Sequence, residues 1–292
     1  MKDYFLVAKP WIVLANVISA GGGFFLAAHG QVGPAQFLPV VVGLSCVVAS
    51  GCVFNNVIDR DMDREMARTC HRALATGAIS LKGSLVLATV LGLAGAAILW
   101  AGTNPLTLAI VLAGFAIYVG VYSLFLKRHS VYGTLIGSLA GAAPPLAAYC
   151  AVSHRLDLGA GIVLAVFSLW QIPHAYAIAI HRYADYAAVA VPVLPVASGI
   201  PATKRRIVWH IAAFLLAAQM LTVGGYAGYA YLGVATALGL AWLFWAWSGL
   251  ATADDRRWAR QLYIFSIVTI VALSLMMAGD ATLPPAGGAA SL

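Results

Sequence analysis

The chain has 292 residues, of which 62% are hydrophobic and 9% are charged, with a formal net charge of +7. Water-soluble globular domains carry about a quarter charged residues, so the composition excludes a soluble enzyme or binding module and reads as a membrane protein. The basic excess fits a topological signal together with an anionic substrate and gives no reason to invoke nucleic acid.

Apolar runs long enough to cross about 30 Å of hydrocarbon as helices recur along the whole length. They lie at about 10–28, 36–56, 83–101, 105–125, 133–151, 160–181, 207–226, 229–249 and 259–279. Helices are the expected spanning form, because lipid offers the backbone no partners and no alternating barrel pattern is present. The first run reads as a retained anchor and not a cleaved signal, since it is long and Lys2 and Lys9 precede it. With the N-terminus in the cytoplasm, all but one of the 17 Lys and Arg residues fall in cytoplasmic segments, Arg155 being the exception. The expected organisation is a single polytopic domain over residues 1–292. It divides into two faint four-helix halves, about 10–125 and 133–249, and a ninth helix at about 259–279. Cys46, Cys52, Cys70 and Cys150 show no metal spacing, and Cys70 alone is expected to meet solvent. The tail "TLPPAGGAASL" reads as loose.

The second run, "FLPVVVGLSCVVASGCVF", carries no charge and leads directly into "NNVIDRDMDREMARTCHRALATG". On a helix continuing past the span, Asn55, Asp59 and Asp63 are spaced four apart and share one face. Two carboxylates and an amide of this kind suit Mg²⁺, which shares its shell with waters and substrate phosphates. The competing reading is an exposed, salt-bridged helix end in which Asp59 pairs with Arg60, or Asp63 with Arg64, and nothing binds. Arg68 and Arg72 continue the spacing and set guanidinium forks beside the acids, a combination suited to diphosphate. Lys127 and Arg128, after the fourth span, either extend that clamp or serve as a basic topological flank.

In the fifth span, Gly137, Gly141, Pro144 and Pro145 read as close packing and a kink that opens a cavity. Gln171 and His174 interrupt the apolar sixth span, and intramembrane polar groups are functional candidates by default. A hydrogen-bonded structural histidine is the ordinary alternative for His174. Beyond this span Asp185 is the only acid in a long stretch, and related halves would bring its segment face to face with the first acidic one.

Four blocks, "NNVIDRDMDREMARTCHRALATGAIS", "LKRHSVYGTLIGSLAGAAPPL", "WQIPHAYAIAIHRYADY" and "VPVLPV", resemble the UbiA-type intramembrane prenyltransferases and, within them, the protoheme IX farnesyltransferases or haem O synthases. The similarity runs from about Lys9 to Ala278. It implies an all-α membrane fold of nine transmembrane helices around a central cavity capped on the cytoplasmic side, in a bacterial cytoplasmic (inner) membrane. It further implies Mg²⁺ and diphosphate held by two Asp-bearing segments. Asn55, Asp59 and Asp63 match the first; Asp185 matches part of the second, whose later acid is replaced by Val189. Ala73 stands where many relatives carry Pro. Asp59, Asp63 and Asp185 are thus the expected metal ligands, and Arg68, Arg72, Lys127 and Arg128 the diphosphate-binding residues. The implied reaction joins the farnesyl group of farnesyl diphosphate to a vinyl group of haem b. His174 is expected inside the cavity as a haem-binding residue, and a haem-copper terminal oxidase or haem A synthase would receive the product.

Another UbiA-type enzyme acting on an aromatic or quinone precursor is the nearest alternative, opposed by the PHxxxxA block and the incomplete second acidic motif. A transporter would place its coupling acids deep in a span, and none lies there. A non-catalytic oxidase assembly factor would not need the acid–arginine constellation.

Overall fold

The computed structural model describes residues 2–29, 31 and 33–282; most of the tail, from Leu283 onward, lies outside them. Among the described residues, nine helices are long and apolar enough to cross a membrane. They are α1 (Pro10–Ala28), α2 (Pro34–Glu65), α3 (Leu81–Gly102), α4 (Pro105–His129), α5 (Gly133–Ser153), α6 (Leu158–His181), α7 (Ile200–Val223), α8 (Tyr229–Ala251) and α9 (Asp255–Gly279). Short helices at Lys2–Val7, Ala73–Thr76, Tyr183–Ala188 and Leu194–Ser198 join or precede them.

Local chemistry sets the ends. Proline opens α1, α2, α4 and α7, where its missing N–H costs nothing. Side-chain oxygens of Ser80, Asn104, Asp157 and Asp254 accept backbone N–H groups at the starts of α3, α4, α6 and α9. The start of α7 differs from the expected one near residue 207, and the reason is Lys204. This lysine is only 4% exposed; its Nζ donates to Gly249 O at 2.8 Å and pairs with Asp255 at 2.5 Å. The basic run is therefore built into the helix instead of preceding it.

α1 packs on α2, α5 and α9; α5 packs on α4 and α6; α6 packs on α7 and α9; α2 packs most extensively on α3. One core joins residues of α5–α9 with Leu26 of α1 and Leu194, and a second, including Phe24, Val40, Leu44, Leu99 and Val111, joins α1–α5. Exposed Trp11, Leu93, Trp100, Trp209, Phe244 and Leu275 cover the outside, which suits contact with lipid chains.

Two features position the site. First, α2 runs unbroken to Glu65, well past the apolar run. Second, residues Ala116–Leu126 of α4 are π-helical. From Tyr118 to Lys127 an α-helix would turn two and a half times and place them on opposite faces. Bonding from i to i+5 widens the turn to roughly 4.4 residues, so the same interval makes about two turns and both side chains look the same way.

Candidate active site

Asn55, Asp59 and Asp63 share one face of α2, and that face is interior. They are 5%, 1% and 3% exposed, respectively. The expectation of an exposed helix end is thereby corrected: the π segment of α4 and the loop after α2 cover these acids. The salt bridges of the competing reading do not form, because Arg60 and Arg64 both turn outward to the exposed Asp61, at 3.0 and 3.2 Å. Asp59 instead pairs with Lys127. Asp63 Oδ2 accepts from Arg72 Nη1 at 2.8 Å, and Thr69 Oγ1 donates to Asp63 O at 3.1 Å. Asn55 Nδ2 donates to Asp59 Oδ2 at 2.9 Å and Ser123 Oγ at 3.2 Å, while Asn55 Oδ1 accepts from Lys9 Nζ at 2.7 Å.

Lys9 adopts the left-handed region, with φ 53°, a conformation disfavoured for residues other than glycine. It turns the chain between the helix Lys2–Val7 and α1 and aims the ammonium at Asn55. Burial draws that ammonium down to about 8. Asn56 anchors the same segment by donating to Val7 O at 2.9 Å.

Asn55 and Lys127 also line a cavity of about 340 Å³ that runs on between α1, α2, α4, α5 and α6. Its wall beyond them is largely apolar, with Leu44, Val47, Val48, Val111 and Phe115, and carries the stacked rings of Tyr118 and Tyr122 at 6.1 Å between centroids. The tyrosines fit because glycines face them: a β-carbon on Gly51 would lie 3.1 Å from the Tyr118 ring, and one on Gly137 would lie 3.2 Å from the Tyr122 ring. Gly137, Gly141 and Pro144 all border the cavity, and a side chain at Gly141 would overlap the Gln171 amide.

The model of the UbiA prenyltransferase family matches residues 16–274. A Chromobacterium violaceum protein named protoheme IX farnesyltransferase 2 is 59% identical over 285 residues, covering 97% of this chain and 94% of its own. This chain belongs to the UbiA prenyltransferase family, among its protoheme IX farnesyltransferases. Solved structures share the fold at low identity. A digeranylgeranylglyceryl phosphate synthase aligns with a TM-score of 0.77 at 16% identity, over 95% of this chain and 98% of that one. A UbiA homologue from Archaeoglobus fulgidus, solved bound to GPP and Mg²⁺, aligns with a TM-score of 0.67 at 16% identity, over 95% and 99%.

In this UbiA-family chain the two acidic segments do meet, since Arg68 Nε lies 3.4 Å from Asp185 Oδ2. Arg128 is placed apart from the acids, donating to Ile58 O at 2.6 Å; it braces α4 on α2. His174 departs from its expected position. The cavity residues on α6 are Gln171 and Ala175, whereas His174 faces α9, stacked on Trp170 at 4.8 Å, with Nδ1 2.7 Å from Ser266 Oγ. Ser266 donates its single hydroxyl proton to Tyr263 O at 2.6 Å. We therefore assign the imidazole proton to Nδ1, which leaves a lone pair on Nε2.

Sequence reading missed Lys9, Ser123, Tyr118, Tyr122 and Tyr186. Lys9 reads in the sequence as a basic flank of the first span. Tyr186 lies among Arg68, Asp59, Asp185 and Arg72, and burial pushes its phenol up; its position next to Asp185 was the available signal.

The residues fit Mg²⁺. Asp59 Oδ1 is buried without a hydrogen-bond partner, a vacancy that a buried carboxylate seldom tolerates and that an oxygen-seeking cation would fill. No group of three or more His, Cys, Asp or Glu side chains forms a metal cage among the described residues. That agrees with an ion held by one or two carboxylates plus substrate phosphates.

Proposed function

We propose that this protein transfers the farnesyl group of farnesyl diphosphate to a vinyl group of haem b with addition of water, giving haem O and diphosphate. The observation that carries this reading is that Asn55 and Lys127 belong at once to the buried acid–base cluster and to the wall of an apolar chamber. The diphosphate would lie in the cluster and the prenyl chain in the chamber.

Mg²⁺, held by Asp59 and Asp63 with Asp185 across the mouth, would supply charge neutralisation to the leaving diphosphate. The carboxylates of Asp59, Asp63 and Asp185 pair with Lys127, Arg72 and Arg68, respectively. An incoming anion exchanges those pairs, and the freed cations donate to its oxygens. The allylic C–O bond then breaks, with its electron pair leaving on diphosphate. The rings of Tyr118 and Tyr122 offer negative π faces near the mouth, where positive charge develops on carbon. The vinyl terminal carbon bonds to the allylic carbon. Water captures the cation formed beside the porphyrin ring and loses a proton. The apolar wall keeps other water from the allylic cation.

The chamber, at about 340 Å³, is on the scale of a single prenyl chain and not of a prenyl chain with a tetrapyrrole. The haem therefore needs a place outside this chamber. We assign His174 Nε2 as its iron ligand: the other ring nitrogen, Nδ1, donates to Ser266 Oγ, as the free ring nitrogen of a metal-bound histidine donates to a neighbouring acceptor. The bacterial relatives support a bacterial cytoplasmic membrane, and the basic residues support an N-terminus and a site mouth on its inner side. Haem O would then pass to a haem-copper terminal oxidase or haem A synthase. Membranes containing the protein, incubated with haem b, farnesyl diphosphate and Mg²⁺, should yield haem O by chromatography and mass spectrometry; its absence with folded, membrane-inserted protein would refute the proposal.

A further inference from the structure

We infer that Leu44 and Val111 form the floor that sets the length of prenyl chain this protein accepts. The inference rests on the function proposed above. On α2, cavity-lining positions recur at Leu44, Val47, Val48, Gly51, Cys52 and Asn55, one or two per helical turn. From Asn55 at the mouth to Leu44 is eleven residues, or about 16 Å at 1.5 Å per residue. An extended isoprenoid unit contributes four carbon–carbon bonds of about 1.5 Å in zigzag, or roughly 5 Å, close to the pitch of one turn. Three units thus run from Asn55 to Leu44, with the third beside Val47 and Val48.

The chamber stops there because its wall becomes core. Leu44, Val47 and Val111 belong to a packed cluster with Ala20, Phe24, Val40 and Leu99, all 4% exposed or less. A fourth unit needs another turn of depth, and that space is filled by Val40 and Phe24. Chains shorter by one unit leave the space beside Val48 empty and forgo its burial, so both directions of mismatch are penalised.

The test compares geranyl, farnesyl and geranylgeranyl diphosphates in the parent, Leu44→Ala/Val111→Ala and Val48→Phe proteins. Haem products are identified by mass spectrometry, and the affinity for each diphosphate is measured in parallel without haem. The cavity-enlarged double variant should raise the geranylgeranyl-to-farnesyl ratio of kcat/KM at least about tenfold, the scale on which apolar pockets discriminate. Val48→Phe should raise the geranyl-to-farnesyl ratio by a similar factor. Val48 is only partly buried and borders open cavity, so filling it spares the core and decides the matter where the double variant does not fold. Ratios unchanged from the parent, or a folded Val48→Phe protein that binds none of the three, would overturn the inference. A parent that binds farnesyl diphosphate best but makes no haem product would sink the proposed function and leave the floor supported.

Discussion

Asp59 and Asp63 are the residues on which the chemistry turns, and their burial changes what their replacement does. Asp59→Asn should lower farnesyl transfer at least about a hundredfold, a loss on the scale of removing one transition-state contact. It should also destabilise the fold, because Lys127 loses its buried partner, with roughly 3 kcal/mol as the scale of such a break. Asp63→Asn should behave likewise through Arg72. Asp61→Asn is the control: its carboxylate is 69% exposed, so activity and melting temperature should hold. Equal activity in all three proteins would return the cluster to a structural role. Arg68→Lys and Arg72→Lys keep the charge but lose the fork, and each should raise the farnesyl diphosphate KM by about tenfold, the cost of one charge-assisted hydrogen bond. An unchanged KM in both would make them topological markers. The spacing of four made the shared face of Asn55, Asp59 and Asp63 legible. Their partners were not, because Lys9 and Lys127 arrive at Asn55 and Asp59 from 46 and 68 residues away, and no local pattern records which distant cation closes on which side chain.

At the scale of elements, the nine spans were readable because apolar length suffices for a membrane helix, whereas the face each helix turns inward was not. A helix apolar all round gives no stripe to read, and α6 shows the consequence: Gln171 and His174 are three residues apart, yet one borders the chamber and the other meets α9. The π segment was equally hidden, since its sequence reads as an ordinary apolar span. His174→Ala should abolish the absorbance change on haem titration while farnesyl diphosphate affinity holds. Ser266→Ala should weaken haem binding by less, because only the orientation of the imidazole is lost. His181→Ala should be mild, its Nδ1 lying 3.1 Å from Arg256 O at the end of α6. A parent-like haem spectrum in His174→Ala would make this histidine a packing residue of the α6–α9 seam.

For the whole molecule, the central question is which side of the bilayer carries the mouth, because an ionised prenyl diphosphate crosses hydrocarbon only with difficulty and must be met on the side where it is present. The proposed orientation rests on the charge bias, and the cysteines allow it to be measured directly. Cys52 and Cys150 are buried and Cys46 is half-buried within α2, while Cys70 is exposed in the loop that follows α2. That loop also holds Arg68 and Arg72, so Cys70 reports the side of the mouth itself. Its Sγ donates to Ala67 O at 3.4 Å and the residue stays exposed, which leaves the thiol open to reagent. A membrane-impermeant maleimide should leave Cys70 unmodified in intact cells and label it in inside-out vesicles, with a Cys70→Ser variant labelled in neither. Labelling of intact cells that disappears in Cys70→Ser would invert the assignment and place the diphosphate site outside. The bias of nearly all lysines and arginines to one side would then need a cause other than insertion.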